Sequence, residues 1–156
     1  MSLEYSERFD LLVALINHLG ATDKASRTPT FISEDLGFEK NKVLNVLNGF
    51  PAFFRRSKKT SNKERSKGDH FYTLHLRYSR RSIDNDEEGS SQPLSTDEIN
   101  MLLNLVTHMV QQEQENSRAM QELQQSYKNL ENTNKITMVA AIVAALGAII
   151  AALLSG

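Results

Sequence analysis

The chain contains no cysteine and only three prolines in 156 residues. The missing cysteine removes disulfide frameworks, thiolate nucleophiles and cysteine-ligated zinc together, and it suits a reducing compartment. There is no glycine-rich phosphate loop, no nucleophile elbow and no zinc-ligand spacing either. The four histidines are His18, His70, His75 and His108. Asp69, His70 and His75 are close in sequence, yet the odd separation of His70 and His75 sends them to opposite faces of a strand. His18 falls near the end of a helix, where it complements the dipole. Neither an enzyme, a metal site nor any cofactor is expected. Met1 to Arg8 mixes charges of both signs and lacks an apolar stretch, so it does not read as a signal peptide.

Length leaves room for one compact domain of about 80 residues plus appendages, which excludes a large enzyme. The formal net charge of -1 conceals a strong asymmetry. Residues 1–81 hold 15 Lys and Arg against 9 Asp and Glu, a balance of +6, while residues 82–135 hold 3 against 10, a balance of -7. The two parts therefore have different electrostatic partners.

Four segments follow: a basic domain over 1–81, an acidic flexible linker over 82–94, a helical stalk over 95–135 and a C-terminal transmembrane anchor over 136–155. The run from Ile136 to Leu154 has no charge and only Thr137 as a polar interruption. At 1.5 Å per residue it would make about 28 Å of helix, close to the thickness of a hydrocarbon core. Lys135 precedes it and only Ser155 and Gly156 follow, the layout of a tail anchor that leaves the N-terminal domain on the cytoplasmic face of an inner membrane or its equivalent. The competing reading is an alanine-rich helix buried in an oligomer.

The stalk begins at Pro93-Leu94-Ser95-Thr96-Asp97-Glu98-Ile99, where Ser95 and Glu98 form a capping box and Leu94 staples onto Ile99. Neither proline nor glycine follows before Gly147, so one nearly continuous helix is expected. Ile99, Leu102, Val106, Met109, Met120, Leu123, Tyr127 and Leu130 alternate in steps of three and four. They are eight of the twelve a and d positions between 99 and 137, the exceptions being Glu113, Asn116, Asn134 and Thr137. This predicts a coiled coil that self-associates into a homo-oligomer. Ala141, Ala144, Ala148 and Ala151 continue the register and would let helices approach closely in lipid. Leu103 and Val110 widen the early stripe, which could instead fold back onto the N-terminal domain.

In the N-terminal part, Phe9, Leu12, Ala14, Leu15, Ile16 and Leu19 make an amphipathic helix stopping at Gly20. Thr28 to Ile32 is a short β-prone piece. In ISEDLGFEKNKVLNVLNGF, Ser33 is a helix cap, Gly37 a break, and Val43, Leu44 and Leu47 the buried side of a further helix, a helix-turn-helix pattern. Phe53 to Lys58 predicts a strand, Lys59 to Asp69 a polar loop, and Phe71 to Tyr78 a strand with Tyr72, Leu74, Leu76 and Tyr78 on one side and Thr73, His75 and Arg77 on the other. The fold class is mainly α with a small β-hairpin. This element order, with ISEDLG-FEKNKVLNVLN, resembles the winged-helix superfamily over residues 6–81.

The resemblance implies a groove-entering helix and a wing. Mapped onto this chain, the helix face is Lys40, Asn41, Lys42, Asn45 and Asn48, residue types that can pair with base edges. The wing region holds Arg55, Arg56, Lys58, Lys59, Lys63, Arg65, Lys67, Arg77, Arg80 and Arg81 against Glu64 and Asp69, a net +8 between residues 55 and 81. Such density is the footprint of a polyanion binder. Anionic lipid, the acidic linker itself (Asp84, Asp86, Glu87, Glu88), a protein contact or simple solubility compete for the same charges. The expected function is a membrane-tethered, self-associating protein whose basic domain binds DNA or RNA. The alternative is a toxic or defensive membrane effector whose winged helix docks a protein partner and whose alanine-rich spans perturb the bilayer.

Overall fold

A computed structural model describes residues 4–24, 26–79 and 92–154, with the side chains of 145–154 outside the description. The chain is mainly helical, with one two-stranded antiparallel hairpin and a long C-terminal helix. It divides into two compact units, Met1–Glu113 and Gln114–Gly156.

In the first unit, α1 (Phe9–Ala21) buries Leu12, Leu15, Ile16 and Leu19 of the expected stripe and adds Leu11, while Phe9 and Ala14 are half-buried. A distant side chain supplies donors to the end of this helix and to the turn that follows it. The Arg77 guanidinium donates to the carbonyl oxygens of Leu19 at 2.9 Å, Lys24 at 3.3 Å and Asp23 at 3.4 Å. Arg77 is therefore fully buried rather than part of the basic surface. His18 stands in the last turn of α1 as expected and faces Asp35 at 3.4 Å, and its burial holds the imidazole below its ordinary pKa against the pull of Asp35.

The Thr28–Ile32 piece is not a strand. Pro29 opens α2 (Pro29–Leu36), because its fixed φ and missing N–H suit the first helical position. Thr28 is extended at φ -88°, as a residue before proline prefers, and only Arg27 keeps strand character. Ser33 lies inside α2 and donates to the Thr30 carbonyl at 2.8 Å, so it is not a cap. Gly37 ends α2 at φ 71°, a left-handed conformation that a β-carbon disfavours. Then α3 (Lys40–Gly49) buries Val43, Val46 and Leu47.

Strands β1 (Phe54–Thr60) and β2 (His70–Leu74) pair antiparallel, with Phe54 opposite Leu74 and Arg56 opposite Tyr72, and a register irregularity between Arg56 and Thr60. Arg27 extends the sheet by one bridge: its N–H donates to the Tyr72 carbonyl at 2.9 Å and the Tyr72 N–H donates back at 2.8 Å. The alternation expected to continue to Tyr78 stops at Leu74, where the chain turns into a short helix, α4 (His75–Ser79). That turn is what carries Arg77 inward.

Helix α5 (Thr96–Leu154) starts at the expected capping box: the Ser95 N–H and hydroxyl donate to the Glu98 carboxylate at 2.9 and 3.0 Å, and the Glu98 N–H donates to Ser95 Oγ at 3.4 Å. Leu94 is buried, and its N–H donates to the Gly20 carbonyl at 2.9 Å. Gly20 permits this close approach, since an added Cβ would stand 3.1 Å from Ile99 Cγ1. Val106 is fully buried, and Ile99, Leu102 and Leu103 pack on the same core as Leu12, Ile16, Phe54 and Leu74. At the end of the unit the Glu113 carboxylate accepts the backbone N–H groups of Tyr5 at 2.8 Å and Ser6 at 3.0 Å.

One expectation is overturned at the C-terminus. Among the described residues no helix is long and apolar enough to cross a membrane, so the tail anchor, the single-pass topology and the inner-membrane localisation are not upheld. The described side chains of α5 take in only Ile136–Ala144 of the apolar run, preceded in the same helix by Glu131, Asn132, Asn134 and Lys135. A span needs about 20 predominantly apolar residues. Ala148, Ala151 and the rest of the expected span lie outside the described side chains, as do Arg80, Arg81 and the acidic stretch 82–91.

Candidate nucleic-acid interface

Burying Val43, Val46 and Leu47 turns the opposite side of α3 outward. Lys40, Asn41, Lys42, Asn45 and Asn48 are all exposed there. Two side-chain hydrogen bonds tie this helix to the hairpin and its loop, one at each end.

At the start of α3, Lys40 Nζ donates to Asp69 Oδ1 at 2.7 Å, while Asp69 Oδ2 accepts the Thr30 hydroxyl at 2.5 Å and the Thr30 N–H at 3.3 Å. Burial alone would raise the Asp69 pKa. The hydrogen bonds from Lys40 and Thr30 and the Lys40 charge outweigh it and hold the carboxyl below its ordinary value. At the end of α3, the buried Tyr72 ring of β2 donates its hydroxyl to Asn48 Oδ1 at 2.8 Å. Burial raises the Tyr72 pKa, partly offset by the charge of Arg56 on the neighbouring strand and by the Asn48 bond.

Between these points the loop 61–69 has its own scaffold. The Ser61 N–H donates to the Asp69 carbonyl at 2.8 Å, the Gly68 N–H to the Ser61 carbonyl at 3.0 Å, and the Ser61 and Ser66 hydroxyls meet at 2.8 Å. Gly68 sits at φ 83°, where a side chain would strain the turn. Arg65 reaches Glu34 of α2 at 3.0 Å, and Lys63 lies 5.4 Å from the Phe31 ring centre. Both Arg65 and Glu34 are well exposed, so their ion pair adds little stability and mainly orients the loop. Arg55 stacks 3.7 Å over the Tyr78 ring.

The basic residues thus fall into two groups. Lys40, Arg55, Lys63 and Arg65 have intramolecular contacts, while among the described residues no ion pair involves Lys42, Arg56, Lys58 or Lys67. Lys58, Lys59 and Lys67 are exposed, and the Lys59 N–H is bonded to Ser57 Oγ at 3.1 Å. The anchoring roles of Thr30, Asp69 and Tyr72 have no local sequence signal, because each partner is 24 or more positions away. Among the described residues no group of three or more His, Asp or Glu side chains converges as a metal site would require.

No family model, curated protein or solved structure matches the chain.

Proposed function

We propose that the Met1–Glu113 unit is a winged-helix module that binds nucleic acid, with α3 as the groove helix and β1–β2 as the wing. The element order α1-α2-α3-β1-β2 supports this reading, as does the Arg27 bridge, which stands where a winged helix has its first short strand. The observation that carries the functional part is the double tie of hairpin to helix. Asp69 holds the loop at the start of α3 and Tyr72 holds β2 at its end, so the exposed face of α3 and the basic hairpin form one continuous surface.

On that surface Lys42, Arg56, Lys58 and Lys67 are the phosphate partners, since nothing within the described protein neutralises them. Asn41 and Asn45 are the base-edge partners, because an asparagine amide can donate and accept toward adenine together. Charge outnumbers such amides, so affinity is dominated by phosphate contacts and depends steeply on salt.

The test is a fluorescence-anisotropy titration of the full chain against duplex and single-stranded oligonucleotides at several salt concentrations. Binding to duplex DNA should weaken with a log-log slope of about -0.9 per phosphate neutralised. Replacing Arg56, Lys58 and Lys67 with alanine should lower affinity for every sequence alike and flatten that slope. Replacing Asn41 and Asn45 should change sequence preference, each lost base contact being worth about 1–3 kcal/mol. Absence of binding to any oligonucleotide, or binding indifferent to salt, would overturn the reading.

A further inference from the structure

The heptad register that begins at Ile99 serves two ends. Up to Val106 it faces the core of the Met1–Glu113 unit, and at Glu113 it supplies the carboxylate that receives the Tyr5 and Ser6 amides. Beyond Glu113 the register continues with no surface against it. Met120, Leu123, Tyr127 and Leu130 are 58, 52, 66 and 57% exposed, and Ala141 and Ala144 prolong their row, also exposed.

We infer that this face of α5 is covered by the same face of a second copy of the chain, in a parallel, in-register, two-stranded coil over residues 114–144. Two observations select this occupant.

The first is where the charges stand. With Met120 and Tyr127 at a and Leu123 and Leu130 at d, Glu115, Arg118, Glu122, Lys128 and Lys135 all take b, c or f positions, away from the seam. The flanking e and g positions are Ser117, Ala119, Gln124, Ser126 and Thr133, with Glu131 as their one charge before Lys135. A copy of this helix therefore meets an uncharged seam whose flanks carry only Glu131 as a charge, and no like-charge pair opposes a parallel alignment. A partner recognised by charge would find little to grip along these edges.

The second is that Asn116 at a d position and Asn134 at an a position bracket the apolar row. In a parallel pair held in register, the two Asn134 amides face each other, as do the two Asn116 amides, and each pair bonds side chain to side chain. A pairing shifted by one heptad would set Asn116 against Leu123 and Asn134 against Tyr127, leaving their amides unsatisfied, and a reversed pairing that sets Asn116 against Asn134 would run Ala144 onto Val106, which the Met1–Glu113 unit already buries. A polar a residue of this kind trades stability for a single register and strand number. Pairing would also join two copies of the Met1–Glu113 unit to the same end of one coil, and the second copy would then bind a shared ligand at raised effective concentration. That consequence depends on the nucleic-acid reading, whereas the pairing itself does not.

The experiment reads mass and cross-linking, neither of which involves nucleic acid. By sedimentation equilibrium the full chain should be a dimer across the micromolar range, and Leu123→Lys combined with Leu130→Lys should return it to monomer. Thermal unfolding of the Met1–Glu113 unit should persist in that double variant, which separates lost pairing from lost folding. The natural absence of cysteine makes the alignment directly testable. Leu123→Cys and Leu130→Cys, each alone, should form an intermolecular disulfide under mild oxidation, while Asn132→Cys at an f position should not. A monomeric full chain, a mass above the dimer, cross-linking at only one of the two seam positions, or equal cross-linking at Asn132→Cys would overturn the proposal.

Discussion

Two stretches of α5 carry the same heptad pattern and meet opposite fates. Between Ile99 and Val106 the seam residues Ile99, Leu102 and Val106 pack on a core, Val106 with no exposed surface at all, whereas Met120, Leu123, Tyr127 and Leu130 are more than half exposed. Local sequence does not distinguish them, because an apolar row spaced by three and four records only that a surface wants cover. What differs is supply. The C-terminal end of α1, opened by Gly20, and the sheet residue Leu74 present a ready apolar surface to Ile99, and nothing comparable is described beyond Glu113.

The largest effect should come from the residue that most distinguishes the first unit. Replacing Arg77 with methionine keeps volume but strips the carbonyls of Leu19, Asp23 and Lys24 of their charged donor. A loss of about 2–4 kcal/mol is expected, read as a lower urea midpoint at unchanged slope. The comparison itself is broken or sharpened by one pair of truncations. Val106→Ala should cost about 2 kcal/mol through lost burial and a residual cavity, while Leu123→Ala should leave the unfolding of the first unit unchanged. Equal effects would mean that the two stretches are not differently employed.

Smaller is the contribution of the helix start. Ser95→Ala removes the hydroxyl that receives the Glu98 N–H, and about 1 kcal/mol should be lost from the first unit with no effect on residues 114–144. The smallest effect concerns pH and the loop. The Asp69 pKa is lower in the folded chain than in the unfolded one, so its contribution is fully present above the unfolded value. It fades as pH falls from about 4 through the lower folded value. Amide exchange in residues 61–69 should quicken in that window, and Asp69→Asn should abolish the dependence.

Much of this organisation was legible residue by residue. The capping box of Ser95 and Glu98, the break at Gly37, the buried stripe of α1 and the outward set Lys40, Asn41, Lys42, Asn45 and Asn48 all follow from interactions within about one helical turn. The misreadings share a different cause. Thr28 to Ile32 has β-prone side chains, but Pro29 made the start of α2 the better use of the same residues. Phe71 to Tyr78 alternates cleanly, yet the strand stops at Leu74, since burying Arg77 satisfies a helix end more than fifty residues earlier in the chain. No periodicity encodes that partner.

The sequence by itself therefore determined α1, α3, the capped start of α5 and its continuous register, and the presence of a hairpin, because each depends on side chains a few positions apart. Only the tertiary structure decided that Arg77 is a buried cap rather than a surface cation, that Lys40 is tied to Asp69 while Lys42 is not, and that the seam turns from core to surface near Glu113. These outcomes depend on which surfaces the folded chain brings within reach, and an unpaired polar group or an uncovered apolar row is satisfied by whatever lies nearest in space rather than in sequence.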